Sequence, residues 1–132
     1  AKYTKVLFDI SSDGQVNDAD KALALPRTPK WTYGFGVLGD FPVGEGNAIV
    51  ARANFQHRDR FAYTDNNFGW ITSSDNLDAS ISYKLTDFAT VTLEGLNLTN
   101  QTSNNYAYQD SPVVTNYSSS GPVYRVGLRA QF

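Results

Sequence analysis

The 132-residue sequence has no cysteine, no methionine, one histidine and no long apolar run. The missing cysteine rules out disulfide frameworks, thiolate metal sites and thiol nucleophiles. The lone histidine, His57, sits near the end of an alternating stretch and reads as an interface residue. No nucleophile, base and orienting group can be picked out together, so no enzyme activity, catalytic residue, metal site or cofactor is expected. The longest uninterrupted apolar stretches, such as Ala22 to Leu25, are a few residues long. A transmembrane helix needs about 18, so a helical membrane protein is excluded. A barrel is not, because only alternate residues of a barrel strand touch lipid. The formal net charge is -2 with acids and bases well mixed, so neither a nucleic-acid partner nor an acidic interaction tail is expected. A start without methionine or signal peptide, AKYTKVLF, reads as a cut or processed end.

What is present is alternation. Six stretches have strand character: Tyr3 to Ile10, Trp31 to Leu38, Ala48 to Asp59, Leu77 to Leu85, Ala89 to Leu98 and Pro122 to Phe132. No helix is expected. The last stretch sets Tyr124, Val126, Leu128, Ala130 and Phe132 against Arg125, Gly127, Arg129 and Gln131, a period of two that only a strand provides. The second sets Trp31, Tyr33, Phe35 and Val37 against Thr32, Gly34 and Gly36. The others alternate in the same way, each with one apolar face.

The predicted connections alternate in length: long at Ser11 to Lys30, Arg60 to Asn76 and Asn100 to Gly121, short at Gly39 to Gly46 and Thr86 to Phe88. That parity fits a meander of hairpins with short periplasmic turns and long outer loops. Trp31, Phe61, Tyr63, Trp70, Tyr117 and Tyr124 fall near predicted outer ends, and Phe41, Tyr83, Phe88 and Phe132 near inner ends. Two aromatic girdles would explain this, as would the general preference of Phe and Tyr for strands.

Gly34, Gly36 and Gly39 spell G-x-G-x-x-G, with Asp59 about 20 residues on. The glycines fall within a predicted strand followed by the turn DFPVGEGN, where a dinucleotide site needs a helix, so they are read as small wall residues. Asp9, Asp13, Asn17, Asp18 and Asp20 form an oxygen-rich segment whose spacing fits no EF-hand, and a solvated polar loop is the better reading. Asn97, Asn100 and Asn116 begin N-glycosylation patterns that matter only in a eukaryotic secretory setting. Arg52, Arg58, Asp78, Lys84, Glu94, Arg125 and Arg129 make a polar ladder of mixed sign, expected to face a lumen and either touch a plug or simply wet the wall. In the long loops Arg60, Tyr63, Trp70, Tyr106, Tyr108 and Asp110 suit contact with a small-molecule ligand, and equally suit any exposed loop.

The order of LPRTPKWTYGFGV (Leu25 to Val37), NLDASISYKL (Asn76 to Leu85), VTLEGLNLTNQ (Val91 to Gln101) and GPVYRVGLRAQF (Gly121 to Phe132) resembles the C-terminal barrel portion of TonB-dependent outer-membrane receptors. The resemblance covers nearly the whole chain. It implies an all-β fold, an antiparallel meander within a barrel of about 22 strands. It also implies a Gram-negative outer-membrane location and import of a scarce solute, of the siderophore, vitamin or carbohydrate class, driven by the TonB complex. The terminal Tyr124, Val126, Leu128 and Phe132 would then serve as the signal read by the barrel-assembly machinery. No plug and no TonB-gripping box occur in residues 1–132. The expected partners are therefore outer-membrane lipid, the remaining barrel strands, a plug domain and, through a missing N-terminal part, TonB; the chain is expected to be a fragment. A passive porin or small barrel, a soluble ligand-binding β-barrel with its apolar face inward, and a structural or adhesive β protein stand as alternatives.

Overall fold

A computed structural model describes residues 2–101, 105–108, 114–116 and 121–131, with the backbone alone described for 105–108 and 114–116. In chain order these form a short helix α1 (Asp18–Ala22) and the strands β1 (Thr32–Pro42), β2 (Ala48–Arg58), β3 (Phe61–Ala62), β4 (Gly69–Ile71), β5 (Ser74–Thr86), β6 (Ala89–Leu96), β7 (Asn105–Tyr108), β8 (Val114–Asn116) and β9 (Val123–Ala130). The chain is all-β in character, and its long strands form a meander of order β1-β2-β5-β6-β9. The short strands form a second sheet of order β3-β4-β7-β8. Two compact units result. A loop unit holds Ala1–Thr32, Arg58–Ser74 and Thr102–Ser119, and a sheet unit holds Tyr33–His57, Asp75–Gln101 and Ser120–Phe132.

In the sheet unit the register follows from the alternation. Ile81 pairs with Leu93 and Leu93 with Val126, while Tyr83 pairs with Val91 and Val91 with Leu128. These partners stand directly opposite one another and share a face. The neighbouring register positions set Ser80, Glu94 and Arg125 in one row and Lys84, Thr90 and Arg129 in another. On β1 and β2 the rings of Tyr33 and Phe35 lie 6.5 and 5.3 Å from that of Phe55. Pro42 ends β1, which lies at the sheet edge, where a missing N–H breaks no ladder.

Short turns are built for the job. Between β1 and β2 the Val43 N–H donates to the Asn47 carbonyl at 2.9 Å, with Gly44 and Gly46 in the left-handed region that glycine tolerates best. Between β5 and β6 the pairing shifts after Lys84, so Thr86 meets Ala89. The pairings extend slightly past the named strands. The Leu98 N–H donates to Leu77 and the Gln131 N–H to Phe88. The strands of the sheet therefore approach the roughly 9 to 11 residues of a bilayer-crossing strand, β6 and β9 being the shortest at 8 each.

The expected first strand, Tyr3 to Ile10, is not formed. Apart from one bridge between Lys2 and Ala24 the segment is bends and coil. Carboxylates take the backbone at its C-terminal end and just beyond: Asp20 accepts from the N–H groups of Ile10 and Ser11 at 2.8 and 2.7 Å, and Asp9 accepts from those of Ser12 and Gly14. The same Asp20 closes α1, the helix that alternation did not reveal. Asn17 caps it, accepting from the Ala19 N–H at 2.6 Å while its own N–H donates to Asp20 at 2.9 Å, a capping box. The segment Arg60 to Asn76, read as a plain loop, instead carries β3, β4 and the start of β5. Its hairpin closes on the Asn67 turn, with Tyr63 N–H donating to Gly69 at 2.7 Å.

Candidate functional site

Two surfaces are candidates, one in each unit. In the sheet unit the apolar face is uncovered. Val126 is 77% exposed and Leu128 74%, with Phe35, Val37, Ile81, Tyr83, Leu93 and Tyr124 also exposed. Among the described residues of the whole chain the buried apolar side chains are Ile10, Ala62 and Ile71, and none of these belongs to the sheet unit. Ala51, Ala79, Ile81, Leu93 and Tyr124 share a shallow depression, so the face is continuous from β2 to β9. Tyr33 and Tyr124 stand toward one end of the strands, Phe41 and Phe88 toward the other.

The opposite face carries the polar ladder. Arg125 approaches Glu94 at 3.5 Å, both well exposed, and the Ser82 and Thr92 hydroxyls meet at 2.9 Å. Lys84 pairs with Asp87 in the turn at 2.8 Å, which holds the Asp87 carboxyl below its usual range. Arg129 stands across from Thr90, and Arg52 is exposed on β2. Asp78 works locally: it accepts from the Asn97 N–H at 2.8 Å and from Asn76, fastening the turn Asn97 to Gln101. That turn is closed by Asn97 itself, whose side chain both accepts from the Gln101 N–H and donates to the Gln101 carbonyl, with Asn97 and Asn100 at positive φ. His57 pairs with Asp75 at 2.6 Å and stacks on Tyr33 at 4.7 Å. Gly34, Gly36 and Gly39 all lie inside β1, and no helix follows them.

The loop unit holds a half-open cavity of about 610 Å³. Arg60 and Trp70, two of the loop residues expected to suit ligand contact, are brought together there, the guanidinium 5.0 Å from the indole ring centre. The indole N–H donates to the Asn67 carbonyl at 2.6 Å, which fixes the ring and leaves its face to Arg60. Lys2, Lys30, Asp59 and Phe61 complete the charged and aromatic part of the rim. Lys2 and Lys30 carry no pattern in the sequence and reach the cavity only through folding of the N-terminal segment. Tyr63 is absent from the lining and instead lies under Arg27 at 5.2 Å. The β7 backbone at Tyr106 and Tyr108 pairs with Ile71 and Gly69. Asp110, Tyr117 and Phe132 lie outside the described residues.

The acidic segment spends its carboxylates on backbone. Asp20 is fully buried, and the N–H groups of Asn17, Ser11 and Ile10 lower its pKa to about 2 against the opposing effect of burial. Asp13 accepts from the Gln15 N–H and the Asn17 amide, and Asp18 pairs with Lys21 at 2.7 Å. In the same unit Arg58 stacks 5.1 Å from the Phe61 ring while its Nε is buried without a hydrogen-bond partner.

Comparison with protein-family models, with curated proteins and with solved structures finds no match to this chain.

Proposed function

We propose that this chain is part of the wall of an outer-membrane barrel, with the apolar face of the sheet unit against lipid and the polar ladder toward the lumen. We further propose that the barrel is that of a TonB-dependent receptor importing a scarce solute, of which the chain is a C-terminal portion. The single observation that carries the first step is the continuous exposed apolar face from β2 to β9. A water-facing monomer rarely leaves such a face open, whereas lipid covers it at no cost in hydration. The aromatics toward both strand ends and the alternation of short and long connections add to it. The second step is supported by the resemblance of the strand motifs and their order.

Partners follow from the physics of edges. Unpaired N–H and C=O groups in lipid cost several kcal/mol each, so two open edges with about five such groups apiece would cost on the order of tens of kcal/mol. Domains are stable by roughly 5 to 15 kcal/mol. β1 and β9 therefore require further barrel strands, and a lumen of family size requires a plug. Tyr124, Val126, Leu128 and Phe132 would be read by the barrel-assembly machinery, and TonB would act through the remainder of the receptor.

Residues 1–132 contain no cysteine, so with any cysteine elsewhere in the polypeptide replaced, facing is directly measurable. Spin labels on Val126→Cys and Gly127→Cys, in the intact polypeptide reconstituted in lipid, would report accessibility to oxygen and to a water-soluble nickel chelate. Oxygen should dominate at 126 and the chelate at 127. The reverse order would overturn the lipid-facing assignment and give the inward apolar lining of a soluble ligand-binding barrel.

A further inference from the structure

We propose that the loop-unit cavity is a binding site for a flat organic polyanion, a small molecule carrying two or more carboxylates on a planar core. The cavity lies wholly within one unit, so the inference holds whether the sheet unit faces lipid or a protein partner.

Charge comes first. Among the described residues Lys2, Lys30 and Arg60 line the cavity with a single acid, Asp59, a formal balance of two positive charges. Among the described residues none of these three cations forms an ion pair. Cations gathered around a concavity with low-dielectric walls repel one another and focus a positive potential into it, a cost that an anion entering would relieve.

Shape and surface narrow the class. A volume of about 610 Å³ lies within the range of small-molecule sites, roughly 300 to 1,000 Å³. Phe61 and Trp70 supply aromatic surface beside the cations, and Ala22, Ala24 and Ala62 supply small apolar surface. Trp70 is held by its N–H bond to Asn67 and in turn steadies the Arg60 guanidinium by the cation–π contact. A pre-positioned guanidinium fork takes a carboxylate through two parallel hydrogen bonds, while the lysines act as adjustable point charges. A bare inorganic ion would leave the aromatic wall unused; a neutral sugar would leave the cations unpaired.

The test is calorimetric titration of benzene-1,3,5-tricarboxylate, and separately of its neutral trimethyl ester, into the intact polypeptide in zwitterionic detergent. Saturable binding of the acid that weakens as salt rises is expected, with none of the ester. Lys30→Gln and Arg60→Gln should each weaken it roughly tenfold, and Arg60→Lys should recover part of the loss. Should Arg60→Gln disturb the fold, seen as a change in near-ultraviolet circular dichroism, the rim variants Lys2→Gln and Lys30→Gln carry the same expectation. Equal affinity for acid and ester, no saturable binding of the acid, or unchanged affinity in both lysine variants would overturn the proposal. Displacement of the bound acid by phosphatidic acid added to the micelles would overturn the planar polycarboxylate and give the cavity to a lipid headgroup; retention of the acid supports a free solute.

Discussion

The two units differ in what they bury and in what holds them together. The loop unit buries Ile10, Ala62 and Ile71 and folds its polar backbone around the carboxylate of Asp20. The sheet unit is held by ladder hydrogen bonds and leaves Tyr124, Val126 and Leu128 facing outward. The loop unit buries a small apolar cluster although Leu7, Phe8 and Trp31 stay exposed in it, whereas among the described residues the sheet unit buries no large apolar side chain and so lacks a core of its own. The loop unit can hold its local structure through internal hydrogen bonds. The sheet unit needs something laid against its apolar face, and identifying that something is the sharpest question the molecule poses.

Substitution on β9 tests the contrast with the largest effect. Leu128 and Arg129 are chain neighbours on opposite faces, across from Val91 and Thr90. If lipid covers the apolar face, Leu128→Arg should cost about 2 to 4 kcal/mol near mid-membrane. Outer-membrane yield and heat-modifiable gel mobility should then be lost. Arg129→Gln should leave both nearly intact. Equal membrane yields from the two variants would sink the assigned facing.

A second comparison concerns the pH response of the units. The Asp20 pKa is depressed to about 2 by three backbone N–H donors. A carboxyl with a depressed folded pKa stabilises the fold above its unfolded value, near 4, and that contribution disappears as pH falls toward 2. Amide-exchange protection at Ile10, Ser11 and Asn17 should therefore fall between about pH 4 and 2, while ladder amides at Leu93 and Val126 remain protected. Asp20→Asn should remove the pH dependence along with the protection. Simultaneous loss in both units would show that they open as one.

The same contrast decides what could be read in the sequence. Long strands were legible because each repeats a period of two, and five of the six expected strands form, with their ends displaced by a few residues. β6 stops at Leu96 because Asn97 turns into the left-handed region, a choice that alternation does not encode. Tyr3 to Ile10 has strand-forming residues, but Asp20 takes the Ile10 N–H, and Asp9 and Asp20 turn the chain just after it by accepting from Ser11, Ser12 and Gly14. The β3–β4 hairpin had a readable signal, the turn formers TDNN between FAY and FGWI, and so did α1 in Asn17 and the Asp20 three residues on. Arg60 and Trp70 were legible as loop residues of suitable chemistry. Their sharing a cavity with Lys2 and Lys30 was not, because it depends on an N-terminal segment folded around the buried carboxylate of Asp20.

Two smaller effects sharpen the picture inside the sheet unit. Asp78 supplies both oxygens to the end of the β5–β6 hairpin, one to the Asn97 N–H at 2.8 Å. Asp78→Ala would strand a part-buried donor and should cost about 1 to 3 kcal/mol, read as increased exchange at Asn97 and Leu98.

Glu94 and Arg125 are expected to matter least. They stand opposite each other on the polar face, 3.5 Å apart, with 38% and 63% of their side chains exposed. An exposed pair of this kind contributes roughly 0 to 1 kcal/mol in water. A double-mutant cycle through Glu94→Gln and Arg125→Gln should give a coupling energy in that range, and the coupling should fall further as salt is raised. The cycle also separates a wet lumen from a covered one. If a plug or another protein surface excludes water from the ladder, the charges lose their screening, and in the intact polypeptide the coupling should rise to several times the exposed value and lose its salt dependence. Small, salt-sensitive coupling there would leave the ladder as a wetted wall whose charges serve solubility alone.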